Sequence, residues 1–312
     1  MDRKWYRRKI TIKATSVCMV KATVCFILAC LLTFPTYSNS NRVNQAPPAT
    51  IKLWHKNYDN AYVHDFLSRA LTFNEDSSSL ALTRVEIASY NEAFAALANE
   101  TQPIDLIVSG VSKQRENEFL PVYVPISRGL LGFRVCLIEK EGKGLAKINS
   151  AEDFKRQELQ LGLVDGWPDI SVMQDNDIPV QVFATESDLV NKVGSRDFQC
   201  FSRSVIEVES DAKRLNMRVE PNIAIIYPYA DIIYVHKNAT DLHRYIQEKI
   251  AEFVASGEFR LFFDSHYAST LEQLNFYERK LIVLNNPKLS KHALEAINRL
   301  GIASFNHRYL NN

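Results

Sequence analysis

The chain has 312 residues, 46% hydrophobic and 23% charged, with a formal net charge of +1. That is the composition of a globular protein with a sizeable core; it excludes a disordered or collagen-like chain, and the length favours about two domains. The charge is uneven: residues 1–40 hold seven basic side chains and one acid, leaving 30 basic against 35 acidic residues in the rest, a net charge of −5. A mildly acidic body without a basic stripe argues against nucleic acid as a partner.

The basic head (Arg3, Lys4, Arg7, Arg8, Lys9) runs into a charge-free apolar stretch of 13 residues, Ala22 to Phe34. A membrane-spanning helix needs roughly 20 residues, so this stretch, followed by Pro35 and the small residues Ser38-Asn39-Ser40, fits a signal peptide. Cleavage is expected after Ser40, with Ser38 as the alternative, and the protein is expected in the periplasm. Anchoring as a lipoprotein at Cys30 is opposed by apolar Leu31 to Phe34 beyond it, and an uncleaved anchor by the short run. Only Cys136 and Cys200 remain after cleavage, too few for a disulfide framework. Their apolar surroundings suit buried thiols, and a single disulfide is the alternative.

Beyond a polar lead, Ile51 to Trp54 reads as a strand and Ala61 to Phe73 as an amphipathic helix. Leu80 to Ala88 and Ile104 to Val108 read as further strands, with a helix from Asn91, its cap, to Asn99 between them. Two extended stretches, joined by Ser127-Arg128-Gly129, fill Val122 to Ile138, and Asn149 caps a helix from Ser150 to Arg156. Alternation then resumes: strand Leu159 to Val164, a helix opened by Pro168, strand Val180 to Ala184, helix Ser187 to Val193, strand Phe198 to Phe201 and helix Val205 to Leu215. Strands follow at Ile223 to Tyr227 and Asp231 to His236. The clearest helix, Thr240 to Ser256, places Leu242, Ile246, Ile250 and Phe253 on one face, with Thr240 as N-cap and Gly257 as stop. Such alternation implies parallel sheets covered by helices.

The sequence IDLIVSGVSKQR (Ile104 to Arg115) resembles the strand, serine-containing loop and arginine of the periplasmic solute-binding proteins of the polar-amino-acid class, family 3. VPISRGLLG (Val124 to Gly132) and Tyr227 to Asp231 are similar to its hinges, and Thr240 to Phe263 to its closing helix and aromatic cluster. DGWPD (Asp165 to Asp169), CFSR (Cys200 to Arg203) and ERKLIVLNNPKL (Glu278 to Leu289) resemble features of an uncharacterised proteobacterial subgroup. The resemblance covers residues 50–312 and implies an α/β, two-lobed periplasmic-binding-protein-like fold (type II) with two hinge crossovers, at 124–132 and 226–232. After a signal peptide of 1–40, residues 41–128 plus 229–312 are expected to form the first lobe and 129–228 the second, with 133–225 as the inserted core. Two departures matter: the loop from Gly110 to Arg115 is shorter than the family's, and Arg203 stands where the family has an aspartate for the ligand's ammonium group.

Candidate ligand-binding residues are Trp54, Ser109, Arg115, Trp167, Asp169, Arg203 and Tyr229. Arg115 is suited to hold a carboxylate by two parallel hydrogen bonds; the alternative is a solvated arginine among Lys113, Glu116 and Glu118. Trp167 stands where a strand hands over to the helix at Pro168, facing the cleft or the core. Asp169 is expected to bind first-turn amides of that helix. Trp54 and Tyr229 line the cleft or simply pack, and Ser109 donates to a ligand or serves a turn. Arg203 is expected in the cleft, matched by a ligand anion or by a carboxylate such as Asp169 or Glu207.

Neither HExxH, paired CxxC, G-x-S-x-G nor a phosphate-cradling loop occurs, so no catalytic residue, metal or cofactor is expected. The expected function is capture of a small polar or anionic solute by lobe closure, as a monomer serving an ABC transporter or a membrane sensor. The alternatives are an enzyme of the same two-lobed fold, dehydratase-like, and an interaction protein that has lost its ligand.

Overall fold

A computed structural model describes residues 10–11, 49–75, 80–193 and 199–305. The expected cleavage site lies outside them, and Ile10–Thr11 pairs in parallel with Ala303–Ser304.

Strand β1 (Thr50–Trp54) leads to helix α1 (Ala61–Leu71), whose Asn60 cap accepts from Val63 N at 3.1 Å. Strand β2 (Ala81–Val85), helix α2 (Tyr90–Ala98) and strand β3 (Leu106–Gly110) follow. Ser89, two residues before the expected cap Asn91, caps α2, because its extended backbone lets its hydroxyl accept from Glu92 N. A short helix α3 (Lys113–Glu118) and strand β4 (Leu120–Val122) end the first passage.

The second series is β5 (Phe133–Ile138), α4 (Ala151–Arg156), β6 (Leu161–Val164), α5 (Asp169–Asp175), β7 (Val180–Phe183), α6 (Glu186–Val190), β8 (Cys200–Ser204), α7 (Val208–Arg214), β9 (Arg218–Val219) and β10 (Ile223–Ile226). The chain returns through β11 (Asp231–Val235) and α8 (Thr240–Ala255). A further helix, α9 (Glu258–Gln273), starts immediately after Gly257. Strand β12 (Lys280–Val283), helix α10 (Lys291–Leu300) and β13 (Ala303–Ser304) complete it.

Two mixed sheets result. The five-stranded sheet has the order β2-β1-β3-β11-β4, and the seven-stranded one β12-β10-β5-β8-β6-β7 with β9 also on β5. Pairings are parallel where a helix intervenes, as in β1 with β2 and β6 with β7. They are antiparallel where the chain returns, as in β11 with β3 and β5 with β8. The expectation of purely parallel sheets therefore fails at the returning strands. The first sheet is covered by α1, α8 and α9, where Phe66 meets Phe253 and Phe259 at 6.1 and 5.6 Å between ring centroids.

Sheet membership departs from the sequence division at one place. Residues 280–283 lie with the second sheet, Ile223 to Ile226 pairing with Lys280 to Val283 in parallel. The chain thus passes between the two sheets three times, and not only at the two expected hinges. At the first passage Arg128 (φ 52°) and Gly129 (φ 85°) are both left-handed, which glycine adopts freely and arginine does not.

The two central passages are joined by Asp231, which accepts from Ser127 N (3.1 Å) and Oγ (2.5 Å). Burial raises the pKa of its carboxyl, and the Ser127 bonds only partly oppose this. The folded protein therefore holds this proton to higher pH than the unfolded chain does. The associated stability is full below the unfolded pKa and is lost as pH rises through the folded one. Asp231→Asn keeps an acceptor for Ser127 without the charge, so its melting temperature is expected to gain on the native protein as pH rises from the ordinary carboxylate range through the raised pKa of Asp231. A difference independent of pH would reject this account.

Candidate functional site

The first half of the site is built by β1, α2 and the turn after β3. Trp54, 5% exposed, ends β1; its indole N–H donates to Ile87 O at 2.9 Å, and its ring meets Tyr90 edge-on at 5.5 Å. Tyr90 and Phe94 stand one turn apart on α2, so both rings face the same side. The Arg115 guanidinium lies over both, 4.9 Å from the Tyr90 centroid and 4.5 Å from that of Phe94. Its Nη1 donates to Ser109 Oγ at 3.1 Å and to Gly110 O at 2.8 Å, and the Tyr90 hydroxyl also bonds Ser109. Among the described residues, no carboxylate stands at ion-pair distance from Arg115. Cation–π attraction and neutral oxygens hold this charge.

Across the molecule, Trp167 stacks on Phe201 at 6.2 Å, and the Arg203 guanidinium sits 5.1 Å from the Trp167 ring. Arg203 is already matched: its Nε donates to Asp211 at 2.5 Å, and Glu207 lies 3.4 Å from Nη2. The sequence placed Arg203 just beyond a strand, yet β8 extends to Ser204 and Arg203 sits inside it, opposite Val135.

Asp169 plays another role than the one expected. Its carboxylate does not bind amides of α5 but faces Arg134 of β5, Nη2 to Oδ1 at 2.7 Å, and accepts from the Tyr227 hydroxyl. Both charged groups are buried, Arg134 to 3% exposure. Burial opposes the Arg134 charge, but Asp169 holds its pKa above the ordinary arginine value. Tyr229 is 4% exposed and packs against Gly110, which ends β3, and beside Gly132, which precedes β5. A Cβ at Gly110 would lie 2.0 Å from its hydroxyl, so only glycine admits this approach. Burial pushes the pKa of its phenol well above the usual tyrosine value.

The structure therefore brings Trp54, Ser109 and Arg115 together, sets Tyr229 beside them across Gly110, and assigns Trp167 and Arg203 to a second cluster. A cavity of about 250 Å³ lies between the turn after β3 (Val111 to Gln114), the start of α5 (Pro168, Ser171, Val172), Tyr229 and the tail residues Asn286, Lys288 and Leu289. This is below the ~300–1,000 Å³ of drug-sized ligand pockets. Sequence reading missed Tyr90 and Phe94, whose four-residue spacing was the available signal, and the Arg134–Asp169–Tyr227 group, for which spacing gives none. Among the described residues, no helix is long and apolar enough to cross a membrane, and no three or more His, Cys, Asp or Glu side chains are placed to hold a metal.

Two α/β sheets, connected by exchanges of chain through adjacent crossovers, define the two-lobed type II periplasmic-binding-protein-like fold. No family model matches the chain, and no curated protein matches it by sequence. Solved structures do match. The probable amino-acid ABC transporter extracellular-binding protein YtmK from Bacillus subtilis is similar with a TM-score of 0.52 and 14% identity, over 70% of this chain and 97% of that one. The ancestral amino-acid-binding protein AncCDT-1, a precursor of cyclohexadienyl dehydratase, gives 0.50 at 13% identity, over 70% and 96%. An ancestral arginine-binding protein bound to arginine gives 0.50 at 14%, over 71% and 99%. At these identities the likeness establishes the fold.

Proposed function

We propose that this protein is an exported solute-binding protein that captures a small polar or anionic solute between its lobes, for a transporter or a membrane sensor. The observation that carries the reading is Arg115: a guanidinium held in place by two rings and two neutral oxygens, with no carboxylate among the described residues to match it. Its Nε–Nη2 edge suits a ligand carboxylate, which an arginine fork binds by two parallel hydrogen bonds. Arg203 makes no comparable offer, because Asp211 and Glu207 already balance it. The preference for an anion thus rests on Arg115 alone.

The similar structures, which include amino-acid-binding and arginine-binding proteins, support a solute-binding role. The Cys136–Cys200 bridge fits an oxidising compartment and so supports export. A dehydratase-like activity would need an acid and a base facing the solute, and the Asp169 carboxylate is engaged by Arg134 and Tyr227.

Thermal-shift screening of the purified protein against a metabolite library identifies the solute, since a ligand of the native state raises the melting temperature. Calorimetry with that solute is then expected to show Arg115→Ala weakening binding by about 2–5 kcal/mol, while Arg203→Ala mainly lowers stability. A folded Arg115→Ala protein of native affinity would overturn the proposal.

A further inference from the structure

The C-terminal segment touches every part that a hinge motion would have to move. Before entering β12, the chain is fixed by Arg279, 7% exposed, whose Nε donates to Leu274 O at 2.9 Å and whose Nη1 donates to Ile223 O at 3.1 Å and to Glu220 O. On leaving β12 it binds the second lobe by a reciprocal pair: Asn176 Nδ2 donates to Asn285 O at 2.8 Å, and Asn285 N donates to Asn176 Oδ1 at 2.9 Å. The next residue, Asn286, donates to Pro228 O at 3.0 Å in the return crossover.

The first lobe is bound next. Lys113 Nζ donates to Pro287 O at 3.3 Å, Ser290 Oγ donates to Glu116 at 2.5 Å, and the His292 ring stacks on Tyr123 at 5.5 Å. Finally the segment reaches the first crossover itself. Arg128 Nε donates to Leu300 O at 2.8 Å, and Ile302 N donates to Arg128 O at 3.0 Å. Arg128 and its neighbour Gly129 are the left-handed residues whose backbone angles any hinge motion would change.

We propose that residues 285–302 form an intramolecular strap that holds the two lobes at one fixed opening, so that the solute enters a preformed site and no hinge closure accompanies binding. The strap also walls the interlobe cavity through Asn286, Lys288 and Leu289. Hydrogen bonds to both lobes and to both central crossovers make each relative motion of the lobes break several contacts at once. A site built in advance avoids the free energy that a hinged receptor spends on closing. The consequence for binding rests on the solute-binding reading above, whereas the strap itself does not.

Pulsed electron-resonance distances between nitroxides at Lys143→Cys in the second lobe and Glu248→Cys in the first test it, with no solute added. The native background is expected to give one narrow distance population. Adding Asn176→Ala and Lys113→Ala, which remove one tie to each lobe, is expected to broaden it or add a longer distance. Arg128→Ala, which frees the first crossover, serves as a second variant and is expected to do the same. Two populations in the native background overturn the strap, as does an unchanged narrow population in both folded variants. Absence of any solute that binds, with these distances as expected, sinks the solute-binding reading and leaves the strap standing.

Discussion

Replacing Asp169 by alanine is expected to lower the unfolding free energy by about 3–5 kcal/mol, the loss typical of breaking one side of a buried ion pair. The Arg134 guanidinium would remain at 3% exposure with its charge unmatched, and its Nε already lacks an acceptor among the described residues. The Tyr227 hydroxyl would lose its acceptor as well. Replacing both charges, as Arg134→Leu with Asp169→Leu, is expected to cost much less, because no isolated charge is left inside. Urea unfolding of the three proteins measures this. If Asp169→Ala and the double variant lose equal stability, the pair is not the source of the loss.

The bridge between Cys136 and Cys200 is expected to contribute about 4 kcal/mol, the value for closing a loop of this length in the unfolded chain. The two residues are 64 apart in sequence, with Cα atoms 5.0 Å apart on the neighbouring strands β5 and β8. Both are buried, so the bond sits within packed sheet and resists reductant until the protein opens. Cys136→Ala with Cys200→Ala, unfolded in urea, is expected to show the full deficit, and native protein unfolded with reductant is expected to match it. A deficit below about 1 kcal/mol would assign the bridge no stabilising role.

Much of the local structure was legible because it depends on near neighbours. The face of Ile246, Ile250 and Phe253 and the stop at Gly257 define α8 within a few residues. The helix that follows, α9, escaped notice because Phe259, Phe262 and Leu271 are buried while Leu261 is exposed, so no single apolar stripe marks it. The place of β12 was unreadable for another reason. Leu281 to Val283 look like a strand, but nothing local says that their partner is β10 and not a strand of the nearer lobe. At the candidate site, Ser109 and Arg115 were singled out as a loop following a strand, whereas Ser109 lies within β3 and Arg115 within α3, where the two side chains bond each other. Arg203 was legible as a charge and, four residues before Glu207, as half of a pair; its nearer partner Asp211 was not, because the turn of β8 into α7 brings it there.

Three passages between the sheets also set the order in which the protein is finished. Strand β10 is buried along its whole length and has β5 on one side, so its other edge waits for residues 280–283. A chain made and delivered from its N-terminus therefore exposes an apolar, unpaired strand edge, a template for wrong pairing, until nearly its last residues have emerged. Neither half matures alone: the same late stretch closes the second sheet and fastens the first crossover. A message cut short before codon 280 would yield a protein adhesive in one half and unlatched in the other.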